Sequence, residues 1–453
     1  MIKKIKWNNH NILGNLELDF TKPDGSVYNT IVLAGENGTG KTTILETLST
    51  FLNLGTIEPF DYISYLAKDI PFTITPTPGS DIKYGFHIRK NDNDGTTQRI
   101  QRGRNIGQEM IDSDALDIRH YGFSYTKARS GFNTKKVKST TTQQLDSQKY
   151  ESDSAEDFTS IKQLLVDVDA QDNSEWMKIT RSGIGTPFET FKLTSKMYRF
   201  EKAFNEFFDI VQFKQVDNAN REEIKILFEK HGKEIPVDDL STGEKQIVFR
   251  GAHLLKNIHS VSGGVVLIDE PELSLHPKWQ QKVLQYYRSL FNKNGTQDVQ
   301  MIFATHSEYV LSSALGDIED VLVIVLNDDN GTIVSKNITA PHVLPTVTSA
   351  ETNYLAFGLL SVDYHIELYG YLQNKTNNHT IKDCDNYILS QTTYYDPTIH
   401  AKPSSYTNQQ GHTFNYQTLP TYIRNLIDHP NPTQSYSDEE FKRSIELLIE
   451  LCR

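Results

Sequence analysis

The sequence predicts an α/β fold: a parallel sheet whose two halves are separated by a long insertion, followed by a mostly helical C-terminal domain. Three apolar runs carry this prediction, at residues 31–34, 265–268 and 299–304. Each run contains no charged residue and is followed at once by glycine, carboxylate or hydroxyl groups. Such runs suit buried parallel strands, which deliver these groups at the carboxyl edge of their sheet.

The first run leads into a glycine-rich turn. Residues 35–43 read Gly-Glu-Asn-Gly-Thr-Gly-Lys-Thr-Thr, the pattern of a phosphate-binding P-loop. Backbone N–H groups of such a loop close around phosphates, and the helix predicted over 41–52 points its positive end at them. We expect Lys41 to reach the β- and γ-phosphates of ATP and the Thr42 hydroxyl to hold Mg²⁺. The predicted ATP contacts here are Gly35, Asn37, Gly38, Gly40, Lys41, Thr42 and Thr43.

The second and third runs supply the groups that ATP hydrolysis needs. The second run ends in Asp269 and Glu270. We expect Asp269 to support Mg²⁺ through water and Glu270 to polarise the attacking water. The third run ends in Thr305, His306 and Ser307. A histidine beside the γ-phosphate can stabilise charge in the transition state, so Glu270 and His306 are the predicted catalytic residues.

A separate motif precedes the second run. Residues 240–246 read Leu-Ser-Thr-Gly-Glu-Lys-Gln, and an apolar helix follows. Ser241 and Gly243 open that helix, so its N-terminus is another anion site, and Glu244 is included among the predicted nucleotide contacts. A second phosphate site in one chain makes sense if it binds the nucleotide of a neighbouring copy. The sequence therefore predicts a homodimer or a higher homo-oligomer.

Together these motifs resemble the ABC-type ATPase head, in the order Walker A, signature, Walker B and switch histidine. The continuation at 270–277, Glu-Pro-Glu-Leu-Ser-Leu-His-Pro, is similar to the RecF-like and OLD-like group and unlike transporter heads. The resemblance covers roughly residues 1–60 and 230–330. Thr242 stands where transporters usually carry glycine, as is common in the RecF-like group. The Q-loop glutamine stays unassigned among three candidates: Gln98, Gln101 and Gln108.

The chain is interpreted as four segments. Residues 1–60 are the N-terminal lobe of the head, 61–235 are inserted strands and a helical lobe, 236–335 are the C-terminal lobe, and 336–453 are the helical domain. Apolar residues at helical spacing over 158–168 and 197–211, without a long heptad repeat, favour a compact lobe over a coiled-coil arm. Residues 374–418 show little periodicity, whereas 437–440 form a capping box that opens the last helix.

Composition limits the remaining classes. The 453 residues contain two cysteines and no apolar run long enough to cross a membrane, which predicts a cytoplasmic protein without disulfides. A net charge of −12 argues against a protein that coats nucleic acid. One basic stretch is interpreted as a solvated loop, with contact to nucleic acid or to an acidic partner as the alternative: Lys127, Arg129, Lys135, Lys136 and Lys138.

One pair in the C-terminal domain could carry chemistry of its own. Arg424 and His429 lie five residues apart near a helix end that Pro430 terminates. This spacing resembles the Arg-x(4–6)-His motif of HEPN-type ribonucleases, in which arginine and histidine act on RNA without a metal. PrrC-like and RloC-like anticodon nucleases share the layout of ATPase head and helical domain. The alternative is a surface arginine and a histidine that complements a helix dipole.

The resemblance extends to the ATPase subunits of the Septu and PARIS anti-phage systems. It implies an ATPase whose head dimerisation controls a nuclease effector, either a partner protein or the C-terminal domain itself. The alternative from another class is a RecF-like ATPase that binds DNA during repair. A transporter head fits least, because the insertion, the C-terminal domain and residues 275–277 all oppose it.

Overall fold

The computed structural model divides the chain into two compact units, Met1–Ile338 and Thr339–Arg453. Across the residues that it describes, no helix is long and apolar enough to span a membrane. These residues are 1–101, 111–128, 139–140, 150–152, 158–183, 187–219, 223–255, 262–293, 296–338, 343–407, 411 and 413–453.

The first unit opens on an antiparallel sheet of six strands. The strands are β1 (Ile2–Trp7), β2 (Glu17–Asp19), β4 (Phe60–Ala67), β5 (Ile70–Pro76), β6 (Phe86–Asn91) and β7 (Thr97–Gln101), in the spatial order β2-β1-β4-β5-β6-β7. One face of this sheet joins a continuous core that also contains the apolar residues of the first helix. Part of the predicted insertion therefore completes the N-terminal lobe.

The second sheet of this unit is the predicted parallel sheet. Its strands are β3 (Thr30–Gly35), β8 (Phe123–Thr126), β9 (Tyr150–Ser152), β13 (Val265–Asp269), β16 (Gln300–Ala304), β17 (Val321–Asp329) and β18 (Thr332–Ile338). The order is β18-β17-β3-β16-β13-β8-β9, and only β18 runs antiparallel to its neighbour. Ala304 lies opposite both Leu33 and Asp269. This register brings the ends of β3, β16 and β13 to one edge, as the three apolar runs predicted.

Seven α-helices have described bounds in the first unit, beside three short 3₁₀-helices at Gly79–Tyr84, Ile118–Tyr121 and Val237–Asp239. The α-helices are α1 (Lys41–Leu52), α2 (Phe158–Arg181), α3 (Phe188–Lys192), α4 (Lys196–Phe207), α5 (Thr242–Leu255), α6 (Pro277–Leu290) and α7 (Glu308–Leu315). A small antiparallel sheet accompanies them, made of β10 (Val211–Asp217), β11 (Lys225–Lys230) and β12 (Lys233–Pro236). A two-stranded ribbon, β14 (Asn292–Lys293) with β15 (Thr296–Gln297), completes the unit.

The insertion differs from the predicted helical lobe in one respect. The helical spacing over 197–211 indicated a single helix, but α4 ends at Phe207 and Val211 opens β10. The aromatic rings of this segment still face one core, since Phe204 packs at a tilted angle against Phe208, with ring centroids 4.8 Å apart, and against Phe228 of β11 at 5.1 Å. A shared hydrophobic face therefore produced the helical pattern across a strand boundary.

The second unit is mostly helical, as predicted. Its helices are α8 (Ser349–Phe357), α9 (Val362–Thr376), α10 (Ile381–Ser390), α11 (Pro397–His400), α12 (Leu419–Asp428) and α13 (Asp438–Cys452). The capping box at its last helix is confirmed, because Ser437 and Glu440 exchange backbone-to-side-chain hydrogen bonds. The stretch without periodicity contains α10, α11 and a hairpin, β19 (Ala401–Thr407) with β20 (Thr413–Thr418). Both cysteines, Cys384 and Cys452, are free and buried.

Candidate nucleotide-binding site

The glycine-rich turn connects β3 to α1 at the carboxyl edge of the parallel sheet. Gly35 has φ of 141°, and a Cβ atom there would lie 2.4 Å from the Leu326 carbonyl oxygen. Gly40 has φ of 85°, and a Cβ atom there would lie 2.5 Å from the Leu13 side chain. Both positions therefore require glycine. Asn37 and Gly38 are exposed at the tip of the turn.

The two residues that open α1 lie where a P-loop needs them. Lys41 is buried, and its Nζ donates hydrogen bonds of 2.8 Å to the carbonyl oxygens of Gly35 and Glu36. Burial lowers the pKa of Lys41, although the carboxylates of Glu270 and Glu272 act in the opposite direction. Its positive end is therefore held over the loop, and the half-buried Thr43 follows it on the same helix.

The predicted magnesium residues are in contact. The Thr42 hydroxyl donates to Asp269 of β13, with Oγ1 3.0 Å from Oδ2 and 3.3 Å from Oδ1. Burial raises the pKa of Asp269 to about 6, and the hydrogen bond from Thr42 opposes that shift. A hydroxyl and a carboxylate side by side are the hard oxygen donors that suit Mg²⁺ when phosphate and water complete its shell. The two side chains present therefore fit this ion.

The two predicted catalytic side chains also lie together. The Glu270 N–H donates to the Ala304 carbonyl at 2.9 Å, which aligns the ends of β13 and β16. The His306 ring follows β16, and its Nδ1 lies 3.5 Å from Glu270 Oε1. Glu270 adopts φ of 45°, a left-handed conformation that is uncommon for residues other than glycine. The sheet register thus places a carboxylate and an imidazole side by side after adjacent strands.

Arg250 was missed by the sequence reasoning. It is buried within α5 and donates to the carbonyl oxygens of Asp269 at 3.1 Å, Glu270 at 2.9 Å and Lys127 at 3.1 Å. One guanidinium therefore ties the helix of the signature motif to the end of β13. The available signal was a lone arginine inside the apolar stretch 247–255.

The signature motif forms the N-terminus of α5. Ser241 and Thr242 are exposed. The Ser241 N–H donates to Glu244 Oε2 at 2.7 Å, and Lys230 donates to Glu244 Oε1 at 2.8 Å. Burial alone would raise the pKa of Glu244, but the hydrogen bonds from Lys230 and Ser241 outweigh it and leave that pKa lowered. Glu244 thus holds the start of its own helix through one carboxylate oxygen and joins it to Lys230 of β11 through the other.

At Gly243 the signature motif packs closely against another segment of its own chain. A Cβ atom at this position would lie 2.7 Å from the Ser274 carbonyl oxygen and 3.2 Å from the Trp279 ring. Only glycine fits under this backbone. The segment that follows β13 therefore supports the start of α5, and the exposed Ser241 remains available on the outer side.

The C-terminal pair is arranged differently from the nucleotide residues. The Arg424 guanidinium lies 2.6 Å from the Asp428 carboxylate, one turn along α12, and it also donates to the Asn425 side chain. His429 follows the last residue of that helix and lines a groove with Tyr422 and Asn425.

Several other candidates can be placed. Gln98 lies on β7 and accepts a hydrogen bond from Arg89, and Gln101 ends the same strand. Of the basic stretch, only Lys127 falls in the described part of the chain, where it lies 3.8 Å from Glu46. The remaining candidates lie outside the described residues: Gln108, Arg129, Lys135, Lys136 and Lys138.

Comparison with known proteins gives three kinds of match. A family described as "AAA domain, putative AbiEii toxin, Type IV TA system" matches residues 31–312. Septu protein PtuA of Bacillus thuringiensis is 23% identical over 354 residues, which cover 73% of this chain and 77% of PtuA. The Retron Vc95 probable ATPase of Vibrio cholerae serotype O1 biovar El Tor is 34% identical over 97 residues. That match spans 19% of this chain and 18% of the retron protein. A crystal structure of the SMC head bound to the C-winged helix domain of ScpA was also matched. The alignment covers 74% of this chain and 97% of the SMC head chain, with 14% identity and a TM-score of 0.40.

Proposed function

The chain belongs to the family described as "AAA domain, putative AbiEii toxin, Type IV TA system", and on that premise we propose that it is an ATPase of an anti-phage defence system whose head dimerisation controls a nuclease effector. The observation that carries this proposal lies at the carboxyl edge of the parallel sheet, where Thr42 contacts Asp269 and His306 lies beside Glu270. The similarity to PtuA over most of the chain supports the defence role.

Each residue of this edge has a task in ATP hydrolysis. The loop N–H groups and Lys41 bind the β- and γ-phosphates. Thr42 would hold Mg²⁺ with Asp269 supporting it through water, and the ion would supply further neutralisation of phosphate charge. Glu270 polarises the attacking water as a general base. His306 stabilises charge that develops on the γ-phosphate. Arg250 keeps the backbone of Asp269 and Glu270 in place.

The second copy completes the site in this proposal. Ser241 and Gly243 of one head contact the nucleotide held by Lys41 of the other head. The support is the N-terminus of α5, where Ser241 and Thr242 are exposed and the helix dipole favours an anion. Hydrolysis then depends on head engagement, and nucleotide state can in turn control the effector.

A separate nuclease protein is the favoured effector. The Arg424 guanidinium is engaged by Asp428, one turn along α12. This ion pair would have to open before Arg424 could bind a phosphate, which favours a partner protein over an intrinsic ribonuclease.

Substitution of Glu270 by glutamine tests the ATPase. Glu270→Gln should bind ATP with Mg²⁺ but hydrolyse it roughly 100-fold or more slowly, because the amide cannot accept a proton from water. The variant should accumulate as an ATP-bound, head-engaged form, measured by light scattering after size exclusion. Glu46→Gln, an exposed glutamate on α1, is the control and should turn over like the wild type. Wild-type turnover by Glu270→Gln would place the catalytic base elsewhere.

Phage challenge tests the defence role. Cells that carry this gene with its neighbouring genes should resist phage, and Glu270→Gln or deletion of an adjacent nuclease gene should remove the protection. If protection needs no other gene, the effector lies in this chain. Stimulation of the ATPase by DNA in the absence of any protection would instead favour the repair ATPase.

A further inference from the structure

Glu272 is a buried carboxylate that lies beside His306. Only 4% of its side chain is exposed. Its Oε1 accepts hydrogen bonds from Thr305 Oγ1 at 2.7 Å and from the His306 N–H at 3.0 Å. The same oxygen lies 3.4 Å from His306 Nδ1. Glu272 thus reaches from the segment after β13 to both the backbone and the ring of His306.

The hydrogen bonds from the Thr305 hydroxyl and the His306 N–H do not by themselves require a charged side chain at Glu272. Among the described residues, its second oxygen, Oε2, is buried and has no hydrogen-bond partner. A buried carboxylate with one oxygen unsatisfied costs free energy. A neutral amide could accept the same bonds from Thr305 and from the His306 N–H at lower cost. Two neighbours benefit from a negative charge: the Lys41 ammonium, on which Glu272 acts together with Glu270, and the His306 ring, which lies 3.4 Å away. An effect through Lys41 would change ATP affinity, whereas an effect through His306 would change kcat.

The two carboxylates together orient that ring. His306 Nδ1 lies 3.5 Å from Glu270 Oε1 and 3.4 Å from Glu272 Oε1. Both distances are longer than an ordinary hydrogen bond, so the two carboxylates act on the ring through their charge. The direct hydrogen bond from Glu272 is to the His306 N–H.

A second contact fixes the residue that follows His306. The Ser307 hydroxyl donates to Gln280 Oε1 at 2.6 Å, and Gln280 Nε2 donates to the Leu275 carbonyl at 2.9 Å. The backbone on both sides of His306 is therefore held by residues 272–280 of the same chain. With the backbone fixed in this way, the orientation of the ring depends on its carboxylate neighbours.

We infer that Glu272 is a positioning residue for catalysis, holding His306 at the end of β16 through its backbone N–H and placing a carboxylate beside its ring. This inference rests on the proposed ATPase function and adds to it a residue that acts through His306. It predicts that the charge of Glu272 affects the chemical step and leaves ATP binding unchanged.

The test is a double-mutant cycle with His306. Glu272→Gln keeps the size of the side chain and an acceptor oxygen, so the fold and ATP affinity should be retained. The kcat should fall about tenfold or more, within the roughly 10²–10⁴ that a well-placed acid or base contributes, while KM for ATP stays constant. In the His306→Ala background the same substitution should have no further effect, because the ring it positions is absent.

Two further variants make the outcome decisive. Thr305→Val removes one donor to the same oxygen but leaves the charge, so its effect on kcat should be smaller and independent of His306. Glu272→Asp keeps the charge on a shorter side chain, and its loss of kcat should also vanish in His306→Ala. It replaces Glu272→Gln if that variant does not fold.

The outcomes separate this inference from the ATPase proposal. Additive losses in Glu272→Gln with His306→Ala would overturn the positioning role, as would wild-type kcat in Glu272→Gln. An increase in KM or in the ATP dissociation constant that matches the loss of kcat would indicate a general structural role and would overturn it as well. A wild-type protein without ATPase activity, by contrast, would contradict the proposed function itself.

Discussion

Lys41 is the single charge on which nucleotide binding should depend most. Its Nζ lies within 2.8 Å of two loop carbonyl oxygens, so it is already placed inside the phosphate-binding turn. Lys41→Ala should abolish tight ATP binding, since it removes the cation that faces the β- and γ-phosphates. Isothermal titration calorimetry measures this affinity. Lys90→Ala, an exposed lysine on β6, is the control, and equal affinities in both variants would mean that the turn is not the nucleotide site.

Arg250 should be required for the geometry of the same site without touching the nucleotide. Arg250→Lys keeps a positive charge but cannot span three carbonyl oxygens with one planar group. Its loss should lower the midpoint of thermal unfolding and slow ATP hydrolysis, because buried carbonyl oxygens left unpaired cost about 1–3 kcal/mol each. The exposed Arg99→Lys should change neither quantity. An unchanged kcat in Arg250→Lys would show that the end of β13 holds its shape without this anchor.

At the residue scale, a site residue could be predicted when it belongs to a recognisable sequence pattern and could not when only its contacts in the folded chain identify it. Lys41 and Thr42 follow from a contiguous turn after an apolar run, and Asp269, Glu270 and His306 from their places at strand ends. Arg250 could not be predicted, because its partners are main-chain carbonyl oxygens, which every residue has. Glu272 lay inside a recognised motif, but its contact with Thr305 depends on the register between β13 and β16.

At the element scale, buried strands and helices with one apolar face were predicted, whereas the short hairpin β19–β20 was not. It lies in the stretch rich in Asn, Thr and Tyr, and β20 buries only Tyr416 and Thr418. Strand β20 alternates Phe414 and Tyr416 with Asn415 and Gln417, but two aromatic residues in a polar stretch are too short a pattern to predict a strand. The end of α4 was not predicted because apolar residues continue past it into β10.

The packing of α9 against α13 predicts a pH dependence of stability. His365 on α9 is fully buried, and its Nε2 lies 2.8 Å from Ser444 Oγ on α13. Burial lowers the pKa of His365 from 6.5 to about 3. Between these values the unfolded chain binds a proton that the folded chain does not, so stability falls as pH decreases from 6.5 toward 3. The slope approaches about 1.4 kcal/mol per pH unit for one proton.

Calorimetric unfolding across this pH range measures that slope. His365→Phe removes the titrating group, so its unfolding temperature should decrease less between pH 6.5 and 5 than that of the wild type. His379→Gln replaces an exposed histidine and should keep the wild-type dependence. An equal decrease in all three proteins would assign the acid sensitivity to other groups.

At the scale of the whole molecule, the candidate site gathers segments that are far apart in the chain. Residues 35–42, 250, 269–272 and 305–307 meet because the central strands are parallel and their ends coincide. Ser241 and Thr242 are exposed on the same unit, and their contacts lie within the helix start. A chain that carries both a P-loop and an exposed signature can complete two sites at once by pairing with a second copy related by a two-fold axis.

A mixing experiment tests this pairing. Ser241→Arg should spare ATP binding but block hydrolysis, because the bulky side chain obstructs the phosphates on the other head. Lys41→Ala should be inactive because it does not bind ATP tightly. A dimer with one chain of each kind contains one site in which both Lys41 and Ser241 are intact. An equal mixture should therefore recover about a quarter of wild-type activity, since half of randomly formed dimers are mixed and each has one working site of two.

The control for the mixture uses defects that lie on one side of the proposed interface. Lys41→Ala mixed with Glu270→Gln should stay inactive, because Lys41 and Glu270 of one chain serve the same nucleotide. Formation of mixed dimers is verified by differently tagged chains in both experiments. If Ser241→Arg and Lys41→Ala form mixed dimers that remain inactive, the signature does not act on the partner's nucleotide. The exposed start of α5 would then need another binding partner, and control of the effector could not depend on head engagement.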